Sequence, residues 1–313
     1  MHIVISGSSG FIGSELVRHL LANGHRVTRL VRRRGRPGEP VAVWDPEQGM
    51  IDTALLGDAD ALVHLAGESI VGRWTAAKKR RILHSRMEGT RLIAQTLARL
   101  AQDAGGGQAR LPKPPRAWFC ASAIGYYGHR GDEWLHEESG SGAGFLAEVC
   151  RMWEAETEPA ARAGVRVIRG RIGMVLGPTG GALAKMLPPF RLGLGGPIGN
   201  GRQYWSWISV ADLVGAIQHL LVTNDLQGPV NLVSPAPVTN AQFTAVLGDA
   251  LRRPAVLPMP AFAARLVFGH MADELLLASQ RVKPTRLMAG GYRFRHPDLG
   301  LALRDALTPT HST

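Results

Sequence analysis

Lysine is nearly missing from this chain. Only five of its 313 residues are lysine, at positions 78, 79, 113, 185 and 283, whereas arginine occurs 31 times. Acidic side chains are also few, 25 against 36 bases, which leaves a formal net charge of +11. The basic clusters are short, Arg32-Arg33-Arg34 and Lys78-Lys79-Arg80-Arg81. Neither zinc-finger spacing nor an aromatic-basic ribonucleoprotein pattern accompanies them. The charge therefore reads as a solvated, arginine-rich surface, and no specific nucleic-acid partner is expected. Cysteine is confined to Cys120 and Cys150, too few for a disulfide framework, so reduced thiols and a cytoplasmic location are expected. No apolar run approaches the roughly 20 residues that span a bilayer. Met1 to Ile5 reads as a strand rather than a basic leader, so neither secretion nor a membrane partner is expected. The 11 histidines are scattered, and none pairs at the i, i+4 spacing that a metal site with a carboxylate uses, so no metal is expected.

A hydrophobic fraction of 45% excludes a disordered chain. Short apolar runs alternate with helical stretches through the first two thirds. Strands are expected at His2–Ser6, Arg26–Val31, Val41–Trp44, Ala61–Leu65, Ala117–Ala121 and Val165–Arg169. Helices are expected at Phe11–Asn23, from about Thr75 to Ala101, and over Gly144–Arg162. In the long helix Leu92, Ile93, Thr96, Leu97 and Leu100 share one face. Ala104 to Pro115 is rich in Gly and Pro and reads as a loop. Steady alternation of this kind implies a parallel sheet covered on both faces. Gly and Pro become frequent from Gly177 to Gly201, Thr239 to Gln242 has the form of a capping box, and a small helical appendage follows from about Arg252.

Gly7-Ser8-Ser9-Gly10-Phe11-Ile12-Gly13 falls between the first strand and the first helix. Gly7 permits a tight turn, Gly10 lets the backbone approach a pyrophosphate, and Gly13 allows close packing of helix on strand. The helix N-terminus adds free N–H groups and a positive dipole end. Ser9, Phe11 and Ile12 complete the expected cradle. About 20 residues further on, an acid would hold the 2′-hydroxyl of NAD, whereas arginine suits the 2′-phosphate of NADP. No acid occurs from Val27 to Pro37. NADP is therefore the expected cofactor, with Arg32 as its main 2′-phosphate contact and Arg33 as the second choice.

Further pieces extend the pattern: Leu65-Ala66-Gly67-Glu68-Ser69, Arg73-Trp74-Thr75, Ser85-Arg86, Ser122 to Gly128, Trp153-Glu154, Arg191 to Gly201, Trp207-Ile208, and Leu276 to Pro284. With these the chain resembles the extended short-chain dehydrogenase/reductases. It resembles more closely their atypical NAD(P)-dependent epimerase/dehydratase-like subgroup, the epimerase family proteins that end in a small domain of unknown function. The resemblance implies an α/β fold, a Rossmann-type doubly wound parallel sheet with a smaller, mostly helical C-terminal substrate region. It implies a Rossmann domain over 1–240, with substrate-side insertions at about 177–210, and a C-terminal domain over 241–313. It implies NADP, with Leu65, Ala66 and Gly67 lining the cofactor cleft. Arg86 would reach that cleft, and Arg171 to Val175 would close it.

Members of that superfamily usually pair a Ser or Thr with a Tyr and a Lys four residues later, the ammonium lowering a phenol pKa of about 10 toward neutrality. Four residues after Tyr126, Tyr127, Tyr204 and Tyr292 stand Arg130, Gly131, Ile208 and His296. Where the dyad would lie the chain reads Phe145-Leu146-Ala147-Glu148-Val149-Cys150, so no role carries over from it. Ser122, at the end of the fifth expected strand, is the candidate to touch a substrate oxygen or the nicotinamide; the alternative is local backbone capping. Tyr126 or Tyr127 could supply a displaced phenol, with Arg130 or Arg171 as the cation; the alternative is packing. Two functional readings follow. One is an NADP-dependent oxidoreductase or epimerase acting on a small hydroxyl- or carbonyl-bearing molecule. The other is a catalytically impaired NADP(H)-binding sensor or regulator. Substrate identity and oligomeric state, a homodimer included, stay open.

Overall fold

The computed structural model describes residues 1–32, 39–105 and 113–308. The first half contains β1 (His2–Ser6), α1 (Phe11–Ala22), β2 (Arg26–Val31), β3 (Val41–Asp45), β4 (Met50–Ile51), α2 (Thr53–Gly57), β5 (Ala61–His64), α3 (Ala76–Gly105) and β6 (Ala117–Ala123). After a 3-10 turn at Ile124–Tyr127 come β7 (Trp134–Leu135), α4 (Phe145–Ala155), α5 (Glu158–Arg162), β8 (Arg166–Ile172), β9 (Met174–Leu176) and α6 (Gly181–Arg191). The remainder contains β10 (Tyr204–Trp205), β11 (Trp207–Ser209), α7 (Val210–Val222), β12 (Gly228–Leu232), β13 (Val238–Thr239), α8 (Asn240–Leu251), α9 (Ala261–Phe268), β14 (Arg281–Val282), α10 (Thr285–Ala289) and α11 (Leu299–Leu307).

Eight strands form the main sheet in the order β12-β8-β6-β5-β1-β2-β3-β4. All neighbours are parallel except β3 and β4. The order runs outward in both directions from the β1/β5 pair, which is the doubly wound arrangement. A ligand crevice opens beyond the strand C-termini where the direction of winding switches. The central strands are apolar without alternation because both faces are covered: Ile3, Val4, Ile5, Leu62, Val63, Trp118 and Phe119 are all fully buried. Helices α1 and α7 pack together, as do α3, α4 and α5. The expected face of α3 is inward, with Ile93, Thr96 and Leu97 fully enclosed.

β6 and β8 run two and three residues beyond their expected ends, and the helical regions differ more. Helix α3 continues to Gly105, into the stretch expected to be a loop. The helix expected over Gly144–Arg162 is two helices, because the Thr157 hydroxyl donates to the Glu154 carbonyl at 2.7 Å and Pro159 starts a new turn. The Gly- and Pro-rich stretch after Gly177 contains α6, with Pro188 and Pro189 inside it. The capping box forms as expected, Thr239 and Gln242 each serving the other's backbone at the start of α8.

Three two-stranded sheets tie the later segments to this body: β10 with β13, β11 with β9, and β14 with β7. A second apolar cluster forms where α11 meets α8 and the β9/β11 pair, around Leu176, Trp207, Phe243 and Leu303. Among the described residues no helix is long and apolar enough to cross a membrane.

The turn after β1 and the start of α1 approach each other closely. A Cβ on Gly13 would fall 2.1 Å from the Gly7 carbonyl oxygen, whereas one on Gly10 meets only that same oxygen at 3.4 Å. Gly13→Ala is expected to lower stability by about 3 kcal/mol, and Gly10→Ala, which replaces a good N-cap residue by a poor one, by about 1 kcal/mol or less. Denaturant unfolding of the two variants side by side checks this, and equal losses would contradict it.

Candidate functional site

The crevice at the β1/β5 edge is built from backbone first. Gly7 has φ +71°, and a Cβ there would lie 2.7 Å from both the Ala66 nitrogen and the Leu65 carbonyl carbon. The turn after β1 is therefore clamped against the segment after β5. Gly10 is the N-cap of α1, with extended backbone and no side chain capping the helix. Ser9 and Gly10 are exposed, and Phe11 and Ile12 are half-buried. The Phe11 ring rests on a bed of glycine, since a Cβ on Gly177 or Gly180 would come within 2.6 Å or 2.5 Å of it. An open Cβ side at Gly10 and an uncapped helix start fit a pyrophosphate. Arg32, just beyond β2, is exposed and has no ion-pair partner among the described residues. Arg33 lies outside the described residues.

On the β5 side, Leu65 and Ala66 are half-buried and Gly67 is exposed. Arg86 reaches Gly67 from α3: a Cβ on Gly67 would sit 3.3 Å from its guanidinium carbon. Its Nη1 donates to the carbonyls of Glu68 (3.0 Å) and Ile82 (3.1 Å), and the guanidinium lies 5.0 Å from the centre of the Trp153 ring. Burial lowers its pKa from the usual arginine range. Beneath this edge the Ser6 hydroxyl and His64 Nδ1 are 2.6 Å apart, and His64 Nε2 has no partner among the described residues. Burial, helped by the Arg86 charge, pushes the His64 pKa down to about 3, so this imidazole is neutral at physiological pH. Val175, on β9, pairs with Ile208 and is buried.

Ser122, Tyr126 and Tyr127 come together at the end of β6, around a group the sequence reading had not assembled. Ser122 pairs in register with Arg171 of β8, and Arg171 with Asn231 of β12, so the three stand in one row across the sheet. Arg171 grips the Glu154 carboxylate with both ends of its fork, Nε to Oε1 and Nη2 to Oε2, each at 2.9 Å. Ser122 Oγ donates to Glu154 Oε1 at 2.7 Å. Arg171 Nη1 donates to the Tyr127 hydroxyl (2.9 Å) and the Glu137 carbonyl (3.1 Å). The Tyr127 hydroxyl lies 2.8 Å from Asn231 Oδ1 and 3.0 Å from the His136 carbonyl, both acceptors. Ser122, Tyr127, Glu154 and Arg171 are all buried.

Burial raises the Tyr127 pKa to about 12 against the pull of Arg171, which makes this phenol a poorer base than a free one. Tyr126 differs. It is half-buried, its hydroxyl makes no hydrogen bond among the described residues, and the Arg171 guanidinium sits 3.5 Å from its ring centre. Glu137, which the sequence did not single out, is buried; its Oε1 accepts from the amides of Asn231 and Arg286, its Oε2 has no partner, and burial raises its pKa.

The positions of the missing dyad are closed off. Phe145 stacks edge-on against Trp74 under the Lys79 ammonium, and Val149 is buried. The amides of Phe145 and Leu146 donate to the Glu274 carboxylate at 2.8 Å and 2.6 Å. Arg130 is held by Glu133 through both nitrogens of its fork. Cys120 and Cys150 are buried free thiols, each pushed up to about 12 by burial. Asp212 accepts from the Ser209 hydroxyl and from the amides of Arg295 and His296, a structural anchor at the start of α7. Trp205 and Trp207 are buried in the second apolar cluster.

Residues 3–232 match the NAD dependent epimerase/dehydratase family, and residues 259–306 match a domain of unknown function, DUF1731. The chain is 44% identical to an epimerase family protein of Mycobacterium bovis over 98% of this chain and 97% of that one. It is 38% identical to the human epimerase family protein SDR39U1 over 97% of this chain and 99% of that one. A crystal structure of human SDR39U1, isoform 2, with NADPH superposes on it with a TM-score of 0.85, 35% identity, and coverage of 98% of this chain and 99% of that one. With its doubly wound sheet, glycine cradle and full-length likeness to these proteins, the chain belongs to the NAD dependent epimerase/dehydratase family.

Proposed function

We propose that the protein binds NADP(H) across the β1/β5 edge and is an NADP-dependent oxidoreductase or epimerase acting on a small hydroxyl- or carbonyl-bearing substrate. The observation that carries this is the start of α1, open and uncapped at Gly10 between glycines that are packed solid. Arg32, without an acidic partner among the described residues, follows β2, where the fold's usual pattern puts the contact to a 2′-phosphate. The relative solved with NADPH supports the same cofactor. When bound, the nicotinamide supplies or accepts the hydride. Ser122 donates its hydroxyl hydrogen bond to Glu154, so it meets a neighbouring group through its lone pairs, as an acceptor. Tyr127 braces the network. Tyr126 carries the phenol of the group that no described residue hydrogen-bonds, with its ring centre 3.5 Å from the Arg171 guanidinium, so it is the hydroxyl left to meet a substrate.

A second reading, a catalytically impaired NADP(H) sensor, is favoured by Phe145 and Val149 standing in place of the dyad. The two part on turnover. Loss of NADPH absorbance against a panel of carbonyl compounds and sugar nucleotides is expected on the first reading. Tyr126→Phe should then lower kcat about 100-fold or more with NADPH affinity unchanged, whereas Tyr127→Phe should cost about 1–2 kcal/mol of stability. Binding without consumption across the panel would leave the sensor.

The cofactor claim has its own check. By titration calorimetry NADPH should bind at least about tenfold more tightly than NADH, and Arg32→Glu should erase or reverse the difference. Equal affinities in the unmutated protein would defeat the assignment of Arg32.

A further inference from the structure

On the β5 side of the cleft Arg86 carries a charge that no carboxylate touches among the described residues, and burial outweighs the distant pull of Glu68. The acceptors it reaches are the carbonyls of Glu68 and Ile82. The acids nearby are already engaged. The Glu68 carboxylate is held by Lys78 at 2.6 Å and Arg81 at 3.7 Å, and both Glu154 oxygens are taken by Arg171. Cys150, whose thiol stays protonated, offers no anion, and His64 is neutral. The Trp153 face steadies a cation but does not cancel its charge. Two neighbours register the field that results: it works with burial to keep His64 uncharged and against burial at Cys150.

Position gives this charge a use. A dinucleotide bound at a switch point spans it, one half on each side. With the 2′-phosphate at Arg32 beyond β2, the adenosine half lies on that side of β1. The nicotinamide half then lies over the ends of β5 and β6, where Gly67 and Ser122 stand and where Arg86 lies against Gly67. The two oxidation states of the cofactor carry the same phosphates and differ by one positive charge, on the nicotinamide ring.

Resting on the NADP(H) reading above, we infer that Arg86 makes the cleft selective for redox state, favouring NADPH, whose ring is neutral, over NADP+, whose ring is a cation. The repulsion is partly desolvated, so salt screens it weakly. A tenfold preference needs a difference of only about 1.4 kcal/mol between the two forms, within reach of like-charge repulsion at the effective dielectric of a partly buried site. The consequence reaches both functional readings. On the oxidoreductase reading the enzyme takes up reduced cofactor, donates hydride and sheds the oxidised product, whereas an epimerase would need the disfavoured oxidised form; a sensor with this cleft reads the ratio of NADPH to NADP+.

The test is titration calorimetry of the full chain with NADPH and with NADP+ in about 0.15 M salt. The unmutated protein should bind NADPH about tenfold or more tightly. Arg86→Lys should keep the preference, and Arg86→Met should bring the two affinities within about twofold, with Arg86→Gln as a second neutral variant should the first fold poorly. Arg32→Glu should weaken both forms alike and leave their ratio unchanged. Equal affinities in the unmutated protein, or a preference that survives both neutral variants, overturns the role of Arg86. Failure to bind either form overturns the NADP(H) reading itself, and the inference with it.

Discussion

The far edge of the cleft hangs on a single buried ion pair. Arg171 and Glu154 meet with both ends of their forks, and each is almost wholly enclosed. Taking two charges out of water costs several kcal/mol per ion, returned only when geometry is good and the remaining donors and acceptors are filled. Here they are filled by the groups that shape the site. Ser122 completes the carboxylate, and Tyr127 and the Glu137 carbonyl complete the guanidinium. The pair thus fixes the end of β6, the following 3-10 turn and the face of α4 in one step. It also decides which hydroxyls remain available: Tyr127 is spent as a brace, and Tyr126, stacked on the same guanidinium, is not.

How much of this could be read in advance follows the distance over which each feature is encoded. The parallel sheet and the glycine turn are local. A strand, a turn and a helix lie within 22 residues, and each glycine answers to a contact inside that unit or just across it. The break between α4 and α5 was legible in principle, since Pro159 marks a helix start, but the strong apolar periodicity of the stretch concealed it. Strands of two or three residues such as β7, β10 and β14 carry no periodicity, and their pairing partners lie far away in the chain. The polar row was harder still. Ser122, Arg171 and Asn231 share a pleat only through the registers of three strands, and no spacing in the sequence announces that. Trp153-Glu154 stood out as a motif, yet the role of Glu154 became visible only beside Arg171.

The shortage of lysine acquires a physical meaning in the same terms. Arg166 sends its two terminal nitrogens to the carbonyls of Leu220, Leu221, Thr223 and Leu226, closing the C-terminal end of α7. Arg286 bridges the carbonyls of Gln227 and Pro229 beside β12, and Arg91 grips Glu156 with two nitrogens. Each duty needs a planar fork with several donors at fixed angles, which an ammonium cannot supply. Much of the arginine excess is thereby structural, a set of bolts at helix ends and strand edges.

Glu274 has a consequence for the order in which the molecule can be made. Its carboxylate supplies the partners for the first amides of α4, some 130 residues earlier in the chain. Asn231 likewise gives its amide group to the Lys283 carbonyl, and β14 pairs with β7. A nascent chain emerging from a ribosome has β1 through α7 in hand well before these partners exist. Until Glu274 has emerged, α4 begins with bare amides and the wall it presents to the cleft is unfinished. The glycine turn can therefore close early, while the far wall of the cleft waits for residues made some 130 positions after the helix they cap.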